Sequence, residues 1–482
     1  MATSDQPDPL LSAPPSPFFT ILKHSPTGRG PRIGRLTLPN RDAIRTPHYI
    51  AVTSRGAVPH LSQDNFARLT NISGVYVGLE DFLERASQRP PPLYELRASF
   101  PTPDSALRRF TALPDCTLCV LGARRTPPVT APAANPNTES TVAVSTAVGF
   151  RHLSAADYAE AGETLGADIV VGLGDIPYGR ALGSKRIEKA TDRTINWTIS
   201  HMKLRQQDRP QDPNQPKLFA PLLPVPCEKQ SFYLDALTTD LEPSIAGLAL
   251  YDLATLPDLP QPLTPLPLLA FLTPSTPQTL LHHIAQGVDL HTTALPTTAS
   301  EAGIALTFTF PAPSIDPIAP HPLPLGHPLT APENATSLTP LSSACPCETC
   351  TNHHKAYLHH LLSAHEMLGW VLLQIHNFSV LDRFFEGVRA AMDAGTFEEE
   401  CRRFGEVYET ALPEPGARGP RVRGYQFKSE GPGEAKKNVS RFKVMEKGRE
   451  ARSENAVAVS DSTAEAVKET EFAEKEGGNV GA

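Results

Sequence analysis

Cys345, Cys347 and Cys350, followed on the same stretch of chain by His376, constrain this sequence more than any other residues. Three thiolates and one imidazole are a complete tetrahedral ligand set for a zinc ion. Four protein ligands leave no coordination position open for water or substrate. The set therefore reads as one structural metal site per chain, and any chemistry must be sought elsewhere. The spacing also constrains the backbone. One straight helix over residues 353–376, rising 1.5 Å per residue, would carry His376 about 35 Å beyond the cysteines. The chain must reverse, and Ser363-Ala364-His365-Glu366 is the predicted place. His353 and His354 stand as alternative fourth ligands.

Composition narrows the class. A chain of 482 residues with 40% hydrophobic and 20% charged residues can bury a large core. No run approaches the roughly 20 apolar residues of a membrane span. The N-terminal MATSDQPDPLLSAPPSPFF lacks the basic and apolar regions of a leader, and three of seven cysteines in one metal-type cluster indicate a reducing compartment, so a cytoplasmic location is expected. The net charge of −8 argues against a chain that grips nucleic acid unaided.

Nine short apolar runs read as strands: 48–54, 74–79, 116–121, 141–149, 167–173, 218–225, 245–252, 267–273 and 288–295. Helical patterns fill 154–165, 185–204, 228–240 and 275–286. Such alternation predicts an α/β fold with a parallel sheet, and its length favours a (β/α)₈ TIM barrel. The 50 prolines concentrate in 84–104, 125–137, 205–227, 256–278 and 311–340, which read as surface insertions. The expected organisation is a disordered segment over 1–32, a barrel domain over 33–340, a zinc-binding helical subdomain over 341–412 and a largely disordered charged tail over 413–482.

The residues CPCETC (345–350), AYLHHLLSAHEMLGWVLLQIHN (356–377), TPHYIAVTSRGAVPHL (46–61), GVDLHTTALPTTASEAG (287–303) and DRTINW (192–197) resemble the tRNA-guanine transglycosylase family. The TSRGAVPHL stretch with VYVGLEDF (75–82) looks most like the accessory, non-catalytic subunits of eukaryotic queuine tRNA-ribosyltransferase. The resemblance implies a TIM barrel with a zinc subdomain inserted near its end. It implies exchange of guanine for a modified base at the tRNA wobble position, through one nucleophilic carboxylate and a second that handles protons. It further implies a heterodimer with a catalytic subunit, tRNA bound through that complex, and association with the mitochondrial outer-membrane surface, for which no anchor is readable.

The chemical groups of that reaction are missing from the matching positions. In the GVDMFDCVxPTR-type strand end of active members, the nucleophile's place is taken here by Thr292. Pro296 matches, and Thr298 replaces the arginine. A threonine hydroxyl is a poor nucleophile without a base. Asp289 lies three residues away, an odd shift that turns its side chain to the other face of a strand. The Asp-Ser-Gly-Gly-Phe-Gln turn of the second carboxylate is absent, its neighbourhood being the Pro-rich 122–140. The Phe-Asp-Glu-Cys stretch reads Leu173-Gly174-Asp175-Ile176, with Asp175 expected to be a capping or turn carboxylate. No catalytic residue is assigned, and the chain reads as a pseudoenzyme subunit of a glycosyltransferase complex. Two alternatives stay open: an active transglycosylase with relocated carboxylates at Asp289 or Asp175, and a zinc-dependent scaffold unrelated to tRNA. Cys116 and Cys119 read as core-strand cysteines, Arg193-Thr194-x-x-Trp197 as barrel packing, and KKNVSRFK (436–443) as a solvated linker.

Overall fold

Period-two alternation within the apolar runs builds a wall with two buried faces. Ile50, Tyr76, Val120, Ile169, Phe219, Ala249, Leu269 and Leu290 form one cluster. Their chain neighbours Tyr49, Ala51, Val75, Val77, Cys119, Leu121, Val170, Leu218, Ala220 and Leu248 join a second, larger one. A strand buried on both faces is characteristic of a parallel sheet covered by helices. In the computed structural model, eight strands close into a parallel barrel in sequence order: His48–Val52, Gly74–Gly78, Leu118–Gly122, Ile169–Val171, Lys217–Leu222, Gly247–Leu250, Leu268–Ala270 and Leu290–Thr293. The eighth pairs with the first, Leu290 opposite His48 and Thr292 opposite Ile50, which closes the ring. Inside, Phe219 needs Gly247 beside it, since an added Cβ would lie 2.5 Å from the phenyl ring.

The structure describes residues 17–24, 30–83, 91–97, 105–132, 135–146, 149–176, 183–208, 215–239, 241, 244–314, 322–415 and 419–420. The basic stretch 436–443 and nearly all of the expected tail lie outside them.

Two expectations are corrected. The run at 141–149 is not a barrel strand: Thr141–Thr146 pairs antiparallel with Gly149–Ser154 as a separate hairpin. Val142–Thr146 are buried on both faces, so in sequence this hairpin strand reads like a barrel wall. Within the segment expected to be disordered, Phe19–Lys23 is a strand. It pairs with Ile33–Leu36, which pairs with Ile44–Thr46. This sheet closes the N-terminal end of the barrel: Phe18 meets Phe219 edge-on, centroids 6.0 Å apart, and Leu36 and Ile44 join the interior cluster. The Pro-rich stretch 84–104 also carries a short helix, Pro92–Arg97.

After the barrel come the helices Glu348–Asn352, Lys355–Ser363, Met367–Ala394 and Phe397–Val407. The predicted reversal falls between the second and third of these. His365 adopts the left-handed conformation there, φ 55°, and stacks on Trp370 at 6.3 Å. The following 28-residue helix packs against the barrel, burying Phe378, Phe384, Phe385 and Val388 on its inner face.

Candidate metal centre and the barrel mouth

The reversal returns His376 to the cysteines. Cys347 caps the helix Glu348–Asn352, and the Cys350 amide points at the Cys347 sulfur at 3.4 Å. His376 Nδ1 lies 3.3 Å from the Cys350 sulfur and 3.6 Å from that of Cys347. The ligand atoms of Cys345, Cys347, Cys350 and His376 all lie within 4.8 Å of one another, and all four residues are buried. His353 and His354 are engaged elsewhere. His353 stacks on Tyr357, and the His354 ring caps the next helix by accepting from the Tyr357 amide.

The donor set fits a metal cation. Hydrogen bonds from the Cys347 and Cys350 sulfurs hold the Cys345 thiol well below the ordinary thiol range. Burial works against a charge on His376, but the Cys345 and Cys350 sulfurs outweigh it and hold the ring up at about 9. The Cys345 and Cys350 sulfurs and burial push the Cys347 thiol the other way, up, so the metal-free cluster shares its protons among the four side chains. Three thiolates and a neutral imidazole suit a divalent ion, whose binding displaces those protons.

At the barrel's C-terminal end, where enzymes of this architecture place their chemistry, the centre is filled. Phe271 stacks on Tyr251, centroids 5.1 Å apart at 14°, and meets Tyr76 edge-on at 5.1 Å. The Tyr76 hydroxyl donates to the Arg124 carbonyl. About 40 Å³ remains among these rings and their neighbours, far below the roughly 300 Å³ at which small-molecule pockets begin. This plug was not legible in the sequence, because its rings come from one strand and from just past the ends of two others. The available signal was that Tyr251 and Phe271 directly follow strand ends.

Beside the plug lies a cleft of about 450 Å³ lined by Thr273, Thr276, Thr292, Thr298, Thr410 and Leu412 among others. No described residue lining it carries an ionisable side chain. Thr292 is buried there, and its hydroxyl donates to the Ala270 carbonyl at 2.8 Å.

The two remaining carboxylates are committed elsewhere. Asp289 precedes the eighth strand, at the opposite end of the barrel. It is fully buried in a two-point ion pair with Arg32 at 2.9 and 2.5 Å, and accepts the Leu268 amide at 2.8 Å. Burial pushes Asp175 up, but hydrogen bonds from Arg186, Asn137 and Arg193 outweigh it and hold the carboxyl below its usual range. Asp175 is therefore a fixed anion rather than a proton carrier. Within the Pro-rich stretch 122–140 stands Arg125. It binds Glu80, which also accepts the Ser145 amide and so anchors the hairpin. Arg193 and Trp197 brace the same corner through Glu139. Cys119 is a core cysteine as expected, whereas Cys116 precedes the strand and is exposed.

This barrel with an appended Cys₃His helical unit has relatives. A model of the family described as Queuine tRNA-ribosyltransferase matches residues 27–410, and the chain belongs to that tRNA-guanine transglycosylase family. It is 35% identical over 404 residues to the Queuine tRNA-ribosyltransferase accessory subunit 2 of Schizosaccharomyces pombe, covering 83% of this chain and 86% of the relative. The protein of the same name from Drosophila grimshawi is 27% identical over 385 residues, 75% of this chain and 86% of its own. The Queuine tRNA-ribosyltransferase of Thermotoga neapolitana is 31% identical over 140 residues, 29% of this chain and 34% of its own. No helix among the described residues is long and apolar enough to cross a membrane.

Proposed function

We propose that this chain is the non-catalytic subunit of a heterodimeric queuine tRNA-ribosyltransferase, which exchanges guanine for queuine at the tRNA wobble position. It supports a catalytic subunit and helps position tRNA. The observation that carries this reading is the environment of Thr292. A buried hydroxyl, bonded to a backbone carbonyl in a cleft without described ionisable groups, has no base to activate it. The filled barrel centre supports it further, because a purine base has no room among Tyr76, Tyr251 and Phe271. Asp289 and Asp175, the candidates for relocated catalysis, are both held in ion pairs with arginine.

One structural zinc ion per chain belongs to this proposal, held by Cys345, Cys347, Cys350 and His376. When bound, it closes coordination among four side chains and ties the cysteine loop to the long helix, with no open position for substrate. The long helix packs on the barrel, so the braced unit presents a rigid surface for a partner. The boundaries 33–340 for the barrel domain and 341–412 for the zinc-binding subdomain remain part of the proposal, as does a cytoplasmic location.

Co-expression with a transglycosylase catalytic subunit, followed by sizing, tests the assembly. A one-to-one complex is expected. A chain that never co-purifies with that subunit would favour a scaffold unconnected with tRNA.

A further inference from the structure

Two consecutive residues of the long helix grip both polar backbone groups of one residue in the strand Ile304–Leu306. His376 donates from Nε2 to the Leu306 carbonyl at 2.9 Å. The Leu306 amide donates to Asn377 Oδ1 at 2.8 Å. The Asn377 amide nitrogen then donates to Ser300 Oγ at 2.9 Å and to the Ile304 carbonyl at 3.0 Å. Both donors and the acceptor oxygen of this fully buried side chain are thus engaged. A metal-binding imidazole depends on the acceptor that holds its remote N–H, because that bond fixes the tautomer and the ring plane. Here the acceptor is a main-chain carbonyl, and its own position depends on Asn377.

We propose that Asn377 is a positioning residue for the Cys₃His metal centre, an inference that rests on reading those four residues as a metal site. It fixes the Leu306 peptide, whose carbonyl keeps the His376 proton on Nε2 and leaves the Nδ1 lone pair facing the three sulfurs. The same side chain links the centre, through Ser300, to the helix Leu295–Glu301 that follows the eighth barrel strand. Gln374 offers an internal comparison. It joins the two helices by donating to Thr297 Oγ1 at 2.8 Å but does not bond to Leu306.

The test uses the full-length, zinc-loaded chain and measures zinc loss to an excess of a chromogenic chelator under native conditions. Wild-type protein is first analysed for metal. A chain that holds no zinc refutes the metal site itself, separately from the role of Asn377. Asn377→Ala is expected to lose zinc about tenfold faster, with faster hydrogen exchange at the Leu306 amide. Ser300→Ala should accelerate loss to a smaller degree, and Gln374→Ala should leave it at the wild-type rate. Zinc loss from Asn377→Ala at the wild-type rate overturns the proposal. So does an equal acceleration in Gln374→Ala, which would mean general loosening of the helix. If Asn377→Ala does not fold, Ser300→Ala carries the decision, and wild-type zinc loss from that variant overturns it.

Discussion

The Thr292 hydroxyl donates to the Ala270 carbonyl at 2.8 Å, joining the eighth barrel strand to the seventh at the position that we propose matches the family's nucleophile. The bond makes the side chain a structural clasp. Thr292→Asp would introduce a carboxylate but set it against a carbonyl oxygen in a buried site. The variant is expected to stay inactive in base exchange by itself and to lose about 1–3 kcal/mol of stability. Labelled-guanine incorporation and a urea midpoint check the two halves.

Tyr49 donates to Asp382 at 2.6 Å across the contact between the first barrel strand and the long helix. Burial pushes the Asp382 carboxyl up to about 7. An unfolded aspartate titrates near 3.9, so between these values the folded chain binds more protons than the unfolded one. The contribution is full below the unfolded pKa and is lost as pH rises through the folded one. The unfolding free energy from urea titrations should therefore fall between pH 5 and pH 8 in wild type by about 2–3 kcal/mol relative to Asp382→Asn. Parallel profiles for the two proteins would remove Asp382 as the cause.

Arg32 and Asp289 make a buried pair at the barrel's closed end, with side-chain exposures of 11% and 0%. Removing one partner strands the other charge. Arg32→Leu is expected to cost about 3–5 kcal/mol, and Arg32→Leu with Asp289→Leu less than the sum of the two singles. A double-mutant cycle by chemical denaturation measures the coupling.

Metal removal should destabilise the helical unit. The proposed site predicts one zinc per chain, a melting temperature lowered by chelation, and a Cys347→Ser variant that binds less metal and no longer responds to the chelator. Elemental analysis with thermal melts, with and without chelator, provides the check.

The parts of this architecture readable in sequence are those with a local pattern. Short continuous apolar runs such as HYIAV and GVYVG revealed buried strands. The Cys-x-Cys-x-x-Cys spacing revealed ligands, and the reach of a helix required the turn at His365. What stayed hidden is assembled across the chain. Phe18 and Phe19 sit in a Pro/Ser-rich stretch whose composition reads as disorder, yet they lie against Phe219 and Gly34 at the barrel base. Val142 and Val144 carry a strand pattern that does not say which sheet they join. Tyr76, Tyr251 and Phe271 meet only because the barrel closes, and Asn377 meets Leu306 only because the long helix packs back on the barrel.

On the proposed reading this chain does no base exchange alone. Purified chain should be incubated with tRNA and labelled guanine, in parallel with the complex containing a catalytic subunit. Incorporation is expected from the complex, and none from the isolated chain at any pH between 5 and 9. Incorporation by the isolated chain, abolished by Asp289→Ala or Asp175→Ala, would contradict that reading.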